Sequence, residues 1–162
     1  MERVSIDDLE SEPYDEAYQS DRRVLSDALN TAHLAVTRYA LEPGERFSGS
    51  VHAHADQEEV FVVLEGEATF ETRAGEVAVE EDEVIRFAPG EFQSGRNAAD
   101  ETLVALALGA PRETDDIRID RIPVLDDRNV SCPECERDSM RIPTDGRSGL
   151  VCQVCDATLE VE

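Results

Sequence analysis

Hydrophobic and polar residues alternate along the middle of the chain, in short runs separated by turn residues. The run over residues 33–41, HLAVTRYAL, alternates in this way and contains β-branched residues, as strands with one buried face do. It ends at Pro43 and Gly44, which favour a turn. Further strands are predicted over residues 47–54, 58–64, 67–72, 77–80, 82–87 and 102–108.

Short strands with glycine and proline turns between them, and without a helical period, are typical of an all-β sandwich or barrel. Residues 1–30 are polar and acidic, with one short helical turn predicted over residues 24–29. We expect them to form an N-terminal acidic arm that packs on the barrel or on a partner subunit. Residues 111–128 are rich in Asp, Arg and Pro, which indicates a linker. The predicted organisation is an arm (1–30), a barrel (31–110), a linker (111–128) and a C-terminal module (129–162).

Two histidines, His52 and His54, stand in one predicted strand with a single residue between them. Side chains at positions i and i+2 of a strand point to the same face, about 6.6 Å apart along the strand. Glu58 and Glu59 begin the next strand, and Glu59 shares parity with the apolar residues that follow it. We therefore expect Glu59, and not Glu58, to join the two histidines.

Two imidazoles and one carboxylate form a facial triad that suits non-haem Fe(II) and, less selectively, Mn, Ni or Zn. His52, His54 and Glu59 are therefore predicted to bind a divalent metal in the barrel. In the alternative interpretation the three side chains line a polar interior that holds water or a small ligand. No pattern in the sequence resembles a nucleophile triad, a phosphate loop or a dinucleotide fingerprint.

The spacing of the first motif, HxHx₄Ex₆G ending at Gly66, resembles the first signature motif of the cupin superfamily. The second motif of that family is a proline-containing glycine turn, two residues, a histidine, three residues and an asparagine. Here Pro89 and Gly90 are followed at those spacings by Gln93 and Asn97. The resemblance covers roughly residues 30–110 and implies a double-stranded β-helix, or jelly-roll, barrel that commonly pairs into a homodimer.

The same resemblance places Gln93 at the position of the family's fourth metal ligand, which is usually a histidine. An amide oxygen is a weaker donor than an imidazole, so Gln93 is either a fourth ligand or only a neighbour of the metal. Cupins include dioxygenases, isomerases, decarboxylases, storage proteins and ligand-sensing domains. The fold therefore does not decide the chemistry.

Four cysteines form two CxxC pairs separated by sixteen residues, which are Cys132, Cys135, Cys152 and Cys155. Each pair offers two thiolates from one tight turn, and two such turns complete a tetrahedral zinc site. The module resembles a zinc ribbon with short strands over residues 140–143 and 149–151. Its small size means that the metal supplies much of the folding free energy. A rubredoxin-like iron centre and a redox dithiol pair are the competing interpretations.

The chain carries a formal net charge of −23, and all 15 of its basic residues are arginine. Such a composition fits either a disordered chain or a folded protein in concentrated salt, where the Debye length is only about 3 Å at 1 M. Regular strand patterns favour the folded, salt-adapted interpretation, as in a small single-domain cupin of halophilic archaeal type. The acidic surface disfavours nucleic acid as a partner, because nucleic-acid binding needs basic surfaces.

The sequence contains no apolar run of the roughly 20 residues that a membrane span requires, and its first residues do not resemble a signal peptide. We therefore expect a cytoplasmic protein. Two functions remain open. The first is a metal-dependent cupin that binds or transforms a small molecule, of oxygenase or isomerase type if it is an enzyme. The second is a non-enzymatic adaptor whose barrel dimerises and whose ribbon docks a protein partner.

Overall fold

The computed structural model describes residues 1–161, and nearly all of its regular structure is β. A 3-10 helix spans Ile6–Asp8 and a single-turn α-helix, α1, spans Leu25–Ala28. The strands are β1 Asp21–Val24, β2 Ala35–Leu41, β3 Val51–His54, β4 Glu58–Glu65, β5 Glu67–Thr72, β6 Gly75–Glu80, β7 Val84–Phe87, β8 Gln93–Arg96, β9 Leu103–Ala110, β10 Ile117–Ile122, β11 Arg128–Asn129, β12 Met140–Arg141, β13 Leu150–Val151 and β14 Thr158–Leu159.

The strands form two antiparallel sheets whose neighbours are mostly distant in sequence. One sheet has the order β1-β2-β9-β4-β7. The other has the order β14-β13-β12-β10-β3-β8-β5-β6, with β11 beside β10. Within the barrel, pairs such as β2 with β9 and β3 with β8 connect strands from opposite ends of the domain. This is the arrangement of a double-stranded β-helix, and the predicted all-β jelly-roll fold is confirmed.

An aromatic core fills the space between the two sheets. The Phe61 and Phe70 rings lie 4.9 Å apart, and Phe47 and Phe87 lie 5.7 Å and 5.4 Å from Phe70. Gly95 on β8 makes room for this cluster, because a Cβ atom there would lie 2.5 Å from the Phe47 ring. Offset and edge-to-face contacts of this kind add to the free energy gained by burying the rings. The barrel therefore has a core of its own.

The N-terminal arm packs on its own barrel in this structure. Strand β1 pairs with β2, which extends the first sheet by one strand. Gln19, which is fully buried, donates to the backbone carbonyls of Arg46 at 3.2 Å and Phe47 at 3.0 Å. Its side-chain oxygen accepts from the backbone N–H of Tyr14 at 3.0 Å. These bonds hold residues 14–19 against the barrel at the end where the histidines lie.

The prediction of a linker over residues 111–128 is wrong for its middle part, which forms β10. This strand pairs with β3, with Ile119 opposite His52 and Ile117 opposite His54. Arginine and aspartate occupy the positions between its isoleucines. The high content of charged residues therefore indicated a linker and obscured the alternation of apolar and polar residues that is typical of a strand. On its other side β10 pairs with β12, so the cysteine module continues the barrel sheet. The remaining domain boundaries stay predictions.

Candidate metal sites and the barrel cavity

The two histidines and the glutamate of the first motif meet inside the barrel. Val51 and Ala53 of β3 are buried in the protein, so the alternating positions, His52 and His54, face the other way. Glu59 approaches from β4. One ligand atom from each of His52, His54 and Glu59 can be chosen so that all three lie within 4.8 Å of one another.

Hydrogen bonds orient the two imidazoles. His52 Nδ1 lies 3.1 Å from the Ser50 carbonyl oxygen and 3.3 Å from Ser48 Oγ. A proton on Nδ1 is donated to that carbonyl, which leaves the lone pair of Nε2 free for a ligand. His54 Nε2 lies 3.4 Å from Glu59 Oε1, while its buried Nδ1 has no partner among the described residues. Ser48 and Ser50 were missed at the sequence level, because nothing in the SGS segment marks them as partners of a histidine.

Gln93 lies beside this cluster on β8, opposite His52 in the strand register. Its side-chain N–H donates to Glu59 Oε2 at 3.0 Å, and the residue is 2% exposed. Gln93 therefore holds the carboxylate in place through its amide nitrogen. Glu58 takes no part in the cluster, because its side chain is 46% exposed and forms an ion pair with Arg86 at 2.7 Å.

Burial and the neighbouring groups determine the charges at the cluster. Burial lowers the pKa of His52 below its usual 6.5, and the adjacent His54 lowers it further, against the opposing effect of Glu59. Burial alone raises the pKa of Glu59, but hydrogen bonds and charge from His54, followed by His52 and Gln93, bring it below its usual 4.5. A neutral imidazole and an ionised carboxylate are the forms that bind a metal ion.

The donor set fits a divalent cation. Two imidazoles and a carboxylate converge on one point, and Gln93 donates a hydrogen bond to the carboxylate. In the part of the chain that the structure describes, the buried Nδ1 of His54 has no hydrogen-bond partner. Metal-bound histidine and carboxylate side chains are commonly supported in this way by a second layer of hydrogen bonds. Ligation at this triad remains a prediction.

The cluster opens into a cavity of about 640 Å³. This volume lies within the range of small-molecule sites, which are mostly apolar with a few convergent polar groups. The cavity wall combines apolar side chains, such as Phe47, Phe61 and Ile117, with polar groups from the arm. All three tyrosines of the chain line it, namely Tyr14, Tyr18 and Tyr39. The sequence did not predict this contribution from the arm.

The four cysteines also converge. Cys132 Sγ lies 3.4 Å from Cys155 Sγ, and Cys135 Sγ lies 3.6 Å from Cys152 Sγ. A disulfide requires about 2.05 Å between sulfurs, whereas four sulfurs at about 2.3 Å from a tetrahedral zinc lie about 3.8 Å apart. The observed separations are therefore close to those of a metal tetrahedron.

Backbone N–H groups support the first thiolate of each CxxC turn. The N–H groups of Glu134 and Cys135 lie 3.4 Å from Cys132 Sγ, and the pKa of Cys132 is lowered despite its desolvation. In the second turn, N–H groups of Cys155 and Val154 lower the pKa of Cys152 to about 6. Thiolates in this arrangement suit a soft cation such as zinc.

Residues 37–109 match the family described as Cupin domain. The matched segment contains both motifs and covers the barrel from β2 to β9. Together with the fold, this match supports the cupin superfamily for the barrel, and the predicted resemblance is confirmed at that level. No curated protein matches this chain.

Solved structures share the fold at low sequence identity. A sugar phosphate isomerase from a cupin superfamily, from Silicibacter pomeroyi, has a TM-score of 0.63 at 20% identity over 97% of this chain and 99% of its own. The polyketide cyclase RemF from Streptomyces resistomycificus has a TM-score of 0.61 at 21% identity over 83% and 88%. KdgF from Halomonas has a TM-score of 0.55 at 15% identity over 66% and 92%. These similarities establish the fold alone.

In the described part of the chain, no helix has the length and apolar character to cross a bilayer.

Proposed function

We propose that this protein is a metal-binding cupin that binds or transforms a small molecule in its barrel. The observation that carries the proposal is the position of His52, His54 and Glu59 at the wall of a cavity of about 640 Å³. An adaptor barrel would need no such space, so the open cavity favours small-molecule chemistry over the adaptor function. A bound divalent ion, whether Fe, Mn, Ni or Zn, would act as a Lewis acid or redox centre with open coordination positions.

The chain's own residues have distinct tasks in this proposal. His52, His54 and Glu59 hold the ion, Gln93 orients Glu59, and Ser50 fixes the His52 ring. The apolar wall formed by Phe47, Phe61 and neighbouring residues excludes water from the bound molecule. Two of the structural neighbours are described as a sugar phosphate isomerase and a polyketide cyclase, which supports a small-molecule role of isomerase or related type.

Titration calorimetry with Mn(II), Ni(II) and Fe(II) tests the barrel site. We expect His54→Ala and Glu59→Gln to weaken binding at least tenfold, because each removes one of three strong ligands. Two controls come from the same chain: Glu58→Gln next to the site and His33→Ala on the surface. Equal affinity in the variants and the controls would contradict the proposal. Gln93→His should strengthen binding if residue 93 reaches the ion.

We further propose that the four-cysteine cluster binds one structural zinc ion and that the module is a zinc ribbon. The sulfur separations and the N–H groups directed at Cys132 support this assignment. All four ligands come from protein side chains, so the site is closed and does not take part in catalysis. Elemental analysis should find close to one zinc per chain in addition to the barrel metal.

The charge of the chain bears on its cellular setting. We propose a salt-adapted cytoplasmic protein, because a net charge of −23 is best tolerated in concentrated salt. We also propose a homodimer and a protein partner that contacts the module at Val154, which is 63% exposed. Light scattering on the full chain, and on Val84→Asp at the exposed edge strand β7, tests the dimer.

A further inference from the structure

One arginine in the wall of the barrel cavity has no carboxylate partner within residues 1–161. Arg22, on β1, donates to the Glu12 backbone carbonyl at 2.8 Å and to the Tyr14 hydroxyl at 3.1 Å. Its guanidinium also stacks on the Tyr14 ring, 3.9 Å from the ring centroid. Its Nε–H is buried and has no hydrogen-bond partner among the described residues.

The chain has 38 acidic residues and 15 arginines, and most of the described arginines form ion pairs. Arg46 and Arg141 resemble Arg22 in having a buried Nε without a partner among the described residues, but of these three only Arg22 lines the cavity. Neighbouring arginines on the same sheet are paired: Arg23 and Arg38 both bind Asp21. Arg112, the other arginine of the cavity wall, is paired with Asp27. A partly buried cation without a counter-ion is costly, and at this position a molecule in the cavity can supply the missing negative charge.

Arg22 lies on the same cavity wall as the cluster of His52, His54 and Glu59. Arg22 lies opposite Tyr39 in the register of β1 and β2, and both residues line the cavity. Tyr39 is buried and lies within electrostatic range of both Arg22 and Glu59. Arg22 therefore lines the same cavity as His52, His54 and Glu59, so a single bound molecule of suitable length can contact both.

The arm is built to hold this arginine in place. Gln19 anchors the arm to the barrel through buried hydrogen bonds, and the Arg46 N–H donates to the Tyr18 carbonyl at 3.0 Å. The Tyr18 ring packs against Gly49, where a Cβ atom would lie 3.3 Å from it. Arg22 and Tyr14 therefore sit on a fixed segment, and a pre-organised guanidinium binds an oxyanion with less loss of entropy.

We propose that Arg22, presented by the N-terminal arm, binds the anionic group of the molecule that occupies the cavity. The ligand class is a small organic oxyanion, a phosphate ester or a carboxylate, whose remaining atoms extend toward the metal-type cluster. This inference rests on the proposed function, because it assumes that one small molecule occupies the cavity lined by Arg22 and by the cluster of His52, His54 and Glu59. A cation in the cavity wall favours an anionic ligand in a protein whose surface charge repels it.

Paired probes test the inference on the full-length, metal-loaded protein. Glucose 6-phosphate and glucuronate are each compared with glucose, by calorimetry and by amide chemical-shift changes, and inorganic phosphate serves as a competitor. Glucose 6-phosphate tests for a phosphate ester and glucuronate tests for a carboxylate, so the two probes distinguish the two kinds of anionic group. We expect at least one anionic probe to bind roughly tenfold to a hundredfold more tightly than glucose, as expected for a charged hydrogen-bonded pair.

Arg22→Gln should abolish that preference, and Arg22→Lys should retain part of it, because lysine keeps the charge without the planar fork. Arg23→Gln, the adjacent position on the same strand, makes the same change in net charge and should leave the preference unchanged. Circular dichroism is used to check that all three variants are folded. Equal binding of anions and glucose, or an anion preference that survives in Arg22→Gln, would overturn the inference.

The metal measurement separates this inference from the proposed function. Metal affinity at the triad should be the same in Arg22→Gln as in the unmodified protein, because Arg22 is not a ligand. An anion preference that depends on Arg22 in a protein whose triad binds no metal would support the anion site and contradict the metal function. Loss of metal binding in Arg22→Gln would contradict the anion role, because it would show that the variant disturbs the cluster itself.

Discussion

The barrel and the cysteine module are stabilised in different ways although they share one sheet. The barrel encloses a core from both sheets, with Phe70, Leu41 and Val63 fully buried. The module has a smaller core, in which Met140 and Leu150 pack against Ile119 and Ile122 of β10. Two of the four cysteines, Cys132 and Cys152, are themselves part of that core. Burial of apolar surface can stabilise the barrel on its own. The module depends instead on packing against β10 and on the metal ion proposed at its four cysteines.

The two regions also place their metal-type ligands differently. The barrel ligands project from strands that the core already holds, so the site exists before an ion binds. The cysteines stand in tight turns joined by two-residue strands, β12, β13 and β14. A metal at the barrel site should therefore serve function, and a metal at the cysteines should serve folding.

The largest expected effect comes from removing the metal of the cysteine cluster. Chelation, or Cys132→Ser, should unfold residues 129–161 while the barrel keeps its structure, because only the module needs the ion to fold. Amide NMR spectra and limited proteolysis would report the two regions separately. Ser131→Ala, at the exposed neighbouring position, is the control. A module that stays folded with four free thiols would contradict this view.

The second effect concerns the barrel core. Phe70→Ala should lower the free energy of unfolding of the barrel by about 3–5 kcal/mol, because it leaves a cavity among three other phenylalanine rings. Val77→Ala, on the exposed face of the next strand, should change it little. Thermal melts followed by circular dichroism give both values. A loss in Phe70→Ala as small as that in Val77→Ala would show that the aromatic cluster is not the main source of barrel stability.

A third, smaller effect should connect the regions. Ile119 packs in the module core, lies opposite His52 in the strand register and lines the cavity. Ile119→Ala should cost toward the lower end of about 2–5 kcal/mol and should also weaken metal binding in the barrel. Val154→Ala, at an exposed position of the module, is the control. Module destabilisation without any change in barrel metal affinity would show that β10 does not couple the two sites.

The smallest effect per contact should come from a change in salt concentration. This change should alter the stability of the barrel and of the cysteine module together. Exposed ion pairs contribute only about 0–1 kcal/mol each, while the net charge of −23 is spread along the whole chain. Lowering the KCl concentration from molar to decimolar should reduce the melting temperatures of both regions, because self-repulsion is then less screened. Melting temperatures that do not depend on salt would contradict the salt-adapted interpretation.

Features that depend on short spacings were predictable from the sequence. His52 and His54 share a face because a strand repeats every two residues, and Glu59 follows on the next strand. Each CxxC turn brings two sulfurs together within four residues, and the four sulfurs lie within 4.8 Å of one another. Most barrel strands were also found, because alternation along a half-buried strand is a local signal.

Features that depend on distant partners were not predictable. The sequence predicts a linker where β10 lies, because the strand carries charge at alternate positions, and it predicts no strand at β8, which contains no large apolar residue. The cavity wall formed by Arg22 and Tyr14 required the arm to fold back, which Gln19 secures by bonds to residues 27 and 28 positions away. The order of residues along the chain is therefore enough to predict which metal donors occur together. The residues that surround those donors depend on the folded structure, because sheet pairing and burial join segments that carry no local signal for one another.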